Sequence, residues 1–315
     1  MPDASGLPTY DELPELGQDR HAWDVWGRAD QLGAINLLTP GRVRAGAALV
    51  RTGQLYNLSL PLHLPSPPLF TRQPFQHHVF DLDRNTRDDR LDNFHLQASS
   101  QIDGLRHVRY AQHGFWGGRQ DDVITGTAGN DLGIEHWAQH GLAGRAVLLE
   151  VARWRAAQGR PLRADQDERI TVDDLDATLA AQSVRLEPGD IALLRTGWVA
   201  WYLGLPEAQR GPATAHLATA GLAGSPDMAA WIWDHHIALF AGDNPALEHI
   251  PGSTGEGYLH RRVLPSLGLA IGEMWNFEAL AQACAADGRY AAFLVAVPVN
   301  LVGGVGSPAN AIAIR

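Results

Sequence analysis

Cysteine is almost absent from this 315-residue chain: Cys284 stands alone. No internal disulfide can form, and nothing points to an oxidising compartment. Its surroundings, EALAQACAADG, read as a helix in which the thiol is a small buried hydrophobe. Basic residues are few: 25 Lys and Arg stand against 35 Asp and Glu, a net charge of -10. That balance argues against nucleic acid and anionic membrane as partners, because both need clustered cations. No uncharged apolar run approaches the roughly 18 residues of a membrane span. The opening MPDASGLPTYDELPEL has neither the basic start nor the apolar core of a signal peptide. A soluble, cytoplasmic protein is expected. Generic motifs are missing as well: GxGxxG opening a helix, a Walker loop, a GxSxG elbow, CxxC and HExxH. Nicotinamide chemistry, nucleotide hydrolysis and the serine-hydrolase fold lose weight accordingly.

The composition that is present, 45% hydrophobic and 19% charged, is that of a globular chain long enough to bury a sizeable core. Residues 1–25 are polar and proline-containing and read as an extended arm; 26–315 read as one domain. A helix is expected over Pro40–Val50, with Val43, Ala47 and Val50 on one face and Gly53 ending it. A strand follows at Gln54–Leu60. Residues 61–92, rich in Pro, His, Asp and Arg, read as a long irregular stretch of the kind that often carries function. Thereafter buried apolar strands alternate with amphipathic helices. GLAGRAVLLEV is a strand, ITVDDLDATLAAQSV a helix capped by Thr171, and PGDIALLRTGW a turn and strand. SPDMAAWIWDHH is a helix with Ser225 as cap and Pro226 first, and IALFAGDN a strand ending at Asp243. HRRVLPSLGLAIGE holds a short helix interrupted near Pro265 and a strand. NFEALAQACAADG is a helix stopped by Gly288, and AAFLVAVPVNL the last strand. The class is α/β.

The densest polar cluster is QASSQIDGLRH. Read as a strand, it puts Gln97, Ser99, Gln101 and Asp103 on one face at period two, opposite Leu96, Ala98, Ser100 and Ile102. Gly104 permits a turn, and His107 returns at its end. The face is either a site or a solvated edge. A second cluster sets His260 and Glu273 on either side of the short helix, with Asp243 and Glu248 nearby in AGDNPALEHIP. Strand ends of this kind are where α/β sheets bind ligands.

The whole chain resembles the cyclase family that includes bacterial kynurenine formamidase and isatin hydrolase. The blocks WGRADQLGAINLLTP, SSQIDGLRH, PGDIALLRTGW, AGDNPALEHIP, LHRRVLPSLGLAIGE and PVNLVGGVGSPANAIAI carry the likeness, in that order. The family's motif is HxGTHxDxPxH, whose first two histidines and aspartate bind a divalent metal. The resemblance puts Gln97 and Gln101 at the two histidines, Asp103 at the aspartate and His107 at the final, proton-transferring histidine. The downstream ligand pair is placed at His260 and Glu273. The glutamines depart from the motif, since a neutral amide oxygen is a much weaker ligand than imidazole. Asp103, His260 and Glu273, with the glutamine oxygens completing the shell, would hold one divalent ion, Mn²⁺ or Zn²⁺ with Mg²⁺ also fitting. The resemblance further implies a single swivelling β/β/α-type domain, a mixed sheet with flanking helices, assembled as a homodimer or homotetramer.

The implied function is hydrolysis of a C–N (amide, lactam, formamide) or lactone bond in a small molecule, with His107 as acid and base to a metal-activated water. Trp198 and Trp116 are candidates to wall the pocket, and Arg106 to hold a substrate carboxylate. Core filling is the alternative for the tryptophans, and a surface place for the arginine. His77, His78 and His95 are further candidates for a substitute ligand, and Ser99 or Ser100 for a nucleophile. The rival reading, with both family histidines gone, is a metal-free small-molecule binding protein or pseudoenzyme on the same scaffold.

Overall fold

A computed structural model describes residues 6–124, 129–252 and 255–315. At its centre are four parallel strands: β5 (Leu142–Leu149), β6 (Ile191–Leu194), β7 (Leu239–Gly242) and β8 (Ala270–Glu273). Every residue of the last three is buried. This is why they read as continuous apolar runs: both faces of a parallel sheet are covered. Antiparallel strands extend the sheet at both ends. The order is β10 (Gly306–Pro308), β4 (Gln101–Asp103), β8, β7, β6, β5, β9 (Ala291–Ala296), β11 (Ala311–Ile314) and β1 (Leu55–Asn57). The expected α/β class and mixed sheet with flanking helices are what the chain adopts.

Among the described residues the helices are α1 (Pro40–Ala47), α2 (Glu135–His140), α3 (Val151–Ala157), α4 (Val172–Ala181), α5 (Trp198–Gly204), α6 (Glu207–Thr214), α7 (Pro226–Asp234), α8 (Leu259–Leu267) and α9 (Glu278–Asp287), and their ends follow their local chemistry. In α4 (Val172–Ala181), Thr171 caps the start and Asp174 answers from the third position, a reciprocal capping box. Ser225 Oγ accepts from Met228 N at 3.2 Å to start α7 (Pro226–Asp234). Gly288, at φ +74°, closes α9 (Glu278–Asp287), a left-handed position that suits glycine.

Several elements differ from expectation. Helix α1 ends at Ala47, and the residue it buries is Gly46, not the Val43–Ala47–Val50 face. A Cβ on Gly46 would lie 2.7 Å from the Gly144 carbonyl carbon, so close packing on β5 outweighs the apolar stripe. Strand β1 keeps only three residues of Gln54–Leu60. The stretch 61–92 contains an exposed hairpin, β2 (Gln76–Asp81) paired with β3 (Arg87–Asp92). With neither face buried, QHHVFD and RDDRLD show no alternation to read. Helix α8 (Leu259–Leu267) runs through Pro265. The Arg261 carbonyl that proline cannot serve accepts from Ser266 Oγ at 3.4 Å. Strands β10 and β11 follow what reads as the last strand.

Residues 6–25 lie against α7 and α8 of the same chain; 1–5 of the expected arm fall outside the described residues. Tyr10 N donates to Asp234 Oδ1 at 2.7 Å, Trp233 Nε1 to Pro8 O at 2.8 Å and Trp23 Nε1 to Pro265 O at 2.8 Å. Tyr10, Leu13, Leu16 and Trp23 all join the main core.

Candidate active site

Strands β4 and β8 are antiparallel, with Gln101 opposite Glu273 and Asp103 opposite Ile271. Directly opposed residues share a face, and so do residues two apart. Gln101, Asp103 and Glu273 therefore project together. His260, in the first turn of α8, completes the group. One ligand atom from each of Asp103, His260 and Glu273 lies within 4.8 Å of the others. His260 Nε2 is 3.0 Å from Glu273 Oε1 and 3.4 Å from Asp103 Oδ2. Asp103 and Glu273 are buried, at 0% and 3% exposure.

The remaining contacts orient these groups. Glu248 Oε1 lies 2.6 Å from His260 Nδ1, which turns Nε2 towards the two carboxylates. The Gln101 amide nitrogen donates to Glu273 Oε2, and that of Gln97 to Asp103 Oδ1. Gln97 leaves the strand expected at 97–103, of which only Gln101–Asp103 forms, and reaches Asp103 from a preceding turn. Gln97 Nε2 is also 3.3 Å from His107 Nδ1, while His107 Nε2 faces Asp103 Oδ1 at 3.8 Å. Gly104 sets this turn by close approach: a Cβ there would meet the Val305 carbonyl oxygen at 2.5 Å. His107 N closes the turn onto Gly104 O at 2.9 Å.

Charges in the cluster act on one another. Burial pushes the Glu273 carboxyl up, the Asp103 charge pushes it further, and it reaches about 7. Burial also opposes ionisation of Asp103, but His107, His260 and Gln97 outweigh it and hold the carboxyl below its usual range. Burial alone would lower His260. Its hydrogen bonds to Asp103, Glu248 and Glu273 raise it well above the ordinary imidazole value.

The donor set fits a divalent cation. Among the described residues Gln101 Oε1 is buried without a hydrogen-bond partner, and Asp103 Oδ2 is met only by His260 Nε2 at 3.4 Å, an under-satisfied state that a cation relieves. One imidazole and two carboxylates form a predominantly oxygen set, suited to a hard or borderline ion. Both glutamine amides turn their nitrogens to the carboxylates.

The cluster opens into a cavity of about 400 Å³, lined by His107, Glu248, His260 and Glu273 among others. Phe70, Arg72, His249 and Tyr258 line it too, none of which the sequence singles out. His249 Nδ1 is 2.5 Å from Asp167 Oδ1.

The other candidates lie elsewhere. Trp198 is fully buried and stacks on Tyr202 at 5.2 Å. Trp116 is fully buried and donates to Asp30 Oδ2 at 3.1 Å. Neither lines the cavity. Arg106 is 4% exposed and donates to the carbonyls of Asp131, Gly303 and Gly129 at 2.5, 2.7 and 2.8 Å. It knits loops together. His95 lines a different cavity, with Arg106. His77 and His78 pair with Asp89 and Asp92 on the exposed hairpin, at 2.7 and 3.1 Å. Ser100 Oγ is engaged by Leu60 N and Met274 O, and Ser99 Oγ donates to Pro61 O at 3.2 Å. Asp243 is a strut: it accepts from Thr196 N, Thr196 Oγ1 and Gly197 N at 2.7, 2.7 and 2.8 Å. Among the described residues no helix is long and apolar enough to cross a membrane.

Comparison with known proteins agrees with this architecture. No curated protein compared with the chain matches it in sequence. The crystal structure of a novel cyclase is similar at 33% identity, over 94% of this chain and 99% of that one, with a TM-score of 0.82. Isatin hydrolase A from Labrenzia aggregata, bound to benzyl benzoate, shares 15% identity over 87% and 97% of the two chains, with a TM-score of 0.58. A predicted metal-dependent hydrolase from Bacillus stearothermophilus shares 18% over 82% and 97%, with a TM-score of 0.51. The last two show likeness of fold. The family described as "Putative cyclase" matches residues 56–249. With that match spanning more than half its length, the chain belongs to this cyclase family.

Proposed function

We propose that this chain is a metal-dependent hydrolase that opens an amide, lactam, formamide or lactone bond in a small aromatic molecule. The observation that carries the reading is the Asp103–His260–Glu273 cluster opening beside His107 into a cavity of about 400 Å³. The names of two fold relatives, an isatin hydrolase and a predicted metal-dependent hydrolase, support it.

A divalent ion held by Asp103, His260 and Glu273 would supply a water of lowered pKa and polarise a carbonyl oxygen. The chain's own residues do the rest. Asp103 and Glu273 supply negative charge, and Gln97 and Gln101 keep both carboxylates in place. Glu248 sets the orientation of His260. In hydrolysis the water oxygen bonds to the carbonyl carbon, the C–N or C–O bond breaks, and one proton passes from water to the leaving atom. His107, with Nε2 facing the cluster, carries that proton. Phe70 and Tyr258 supply aromatic surface on the cavity wall.

The test is the divalent-metal content of tag-free protein, with Asp103→Ala/His260→Ala as control, followed by a screen of cyclic and formyl amides read by product mass. About one equivalent of metal, lost in the control, together with a product one water heavier, is the expected result. A protein that holds no metal after supplementation, and is stabilised by ligands it never turns over, would instead be a binding protein.

A further inference from the structure

We propose that Arg72 anchors an anionic group, so that the cavity takes a planar molecule bearing a carboxylate. The inference rests on the hydrolase reading for which cavity is the reaction site.

Arg72 lines the same cavity as His107, His260 and Glu273. Among the described residues no hydrogen bond or ion pair engages its guanidinium, and its Nη1 is buried without a partner. The buried Arg262, by contrast, is committed: it donates to Asp19, Gly224 and Glu256, at 2.8, 2.6 and 2.8 Å. A desolvated guanidinium N–H with no acceptor is unfavourable, and its planar fork matches a carboxylate.

The backbone that delivers Arg72 is unusual. Phe70 and Thr71 have φ of +56° and +61°. A left-handed conformation is rare for any side chain and an outlier for β-branched threonine. Strain of this kind concentrates at functional sites. Its result is that Phe70 and Arg72 both face the cavity, the guanidinium carbon 5.4 Å from the phenyl centroid. Phe70 and Tyr258 remain 46% and 38% exposed, apolar surface for a planar group.

Charge then sets the orientation. Asp103, Glu248 and Glu273 make one side of the cavity acidic, and Arg72 is its unpaired cation. A carboxylate-bearing ligand pairs charges by placing its anion at Arg72 and its reacting carbonyl beside His107.

The experiment measures phenylacetate and phenylacetamide by calorimetry against wild type, Arg72→Lys and Arg72→Met, each metal-replete and again after chelation. Wild type is expected to prefer the acid by about tenfold or more, in both metal states. Arg72→Met should lose that preference while keeping its affinity for the amide and its metal content. Arg72→Lys should keep part of it, as a point charge without the fork. Equal affinities in wild type, no binding of either probe, a preference that survives in Arg72→Met, or one that disappears on chelation would each overturn the proposal. Failure of the hydrolase reading looks different: no amide is turned over, yet the Arg72-dependent preference remains.

Discussion

Glu248 Oε1 sits 2.6 Å from His260 Nδ1, and the same carboxylate accepts the backbone N–H groups of Leu259 and His260. One side chain thus fixes both the start of α8 and the ring orientation of its histidine. Glu248→Gln keeps the shape and removes the charge. Metal affinity should fall roughly tenfold to a hundredfold, the usual cost of losing such a support. Titration calorimetry with Mn²⁺ checks it; an unchanged affinity would remove Glu248 from the site.

Chelation should destabilise the protein as purified. A ligand at about 100 times its Kd stabilises by about 2.7 kcal/mol. Melting with and without EDTA should differ in wild type and coincide in Asp103→Ala/His260→Ala. Identical melts in all four samples would mean that no ion is held.

Metal affinity should rise with pH. Glu273, pushed up to about 7, and His260, raised well above its ordinary value, both hold protons that a cation must displace. Acidification refills those positions, so binding weakens as pH falls through about 7. An affinity constant between about pH 6 and pH 8 would contradict this proton inventory.

His107→Ala should lower kcat by about a hundredfold or more, the usual contribution of a proton-transfer group, with metal content retained. Steady-state kinetics on the best amide from the screen decides it. A wild-type kcat would take His107 out of the chemistry.

Trp198→Ala separates core from pocket. The side chain stacks on Tyr202 within a buried cluster that includes Leu60 and Met274, and its removal should cost about 3–5 kcal/mol of stability. The KM of the folded fraction should stay unchanged. A KM effect with stability intact would return Trp198 to the substrate.

Strands such as IALL and LFAG are visible in the sequence because burial on both faces demands uninterrupted apolar residues. The caps at Thr171 and Ser225 are visible because they act within three residues. Asp103, His107, His260 and Glu273 become candidates through the family's motif order, and the fold brings all four together. The hairpin at 76–92 stays hidden, because a strand exposed on both faces has no reason to alternate.

By itself, then, the sequence determined the α/β class and the central strands and made candidates of the acidic and imidazole groups, all matters of local pattern or of motif. Only the tertiary structure decided which groups share a cavity. Arg72, Glu248, His249 and Tyr258 reach it from separated stretches of chain, and no periodicity links them. It also decided that Arg106, Trp116 and Trp198 serve the interior. Whether a polar or aromatic side chain meets a ligand or a backbone carbonyl depends on what the folded chain packs against it, and that is set by contacts distant in sequence.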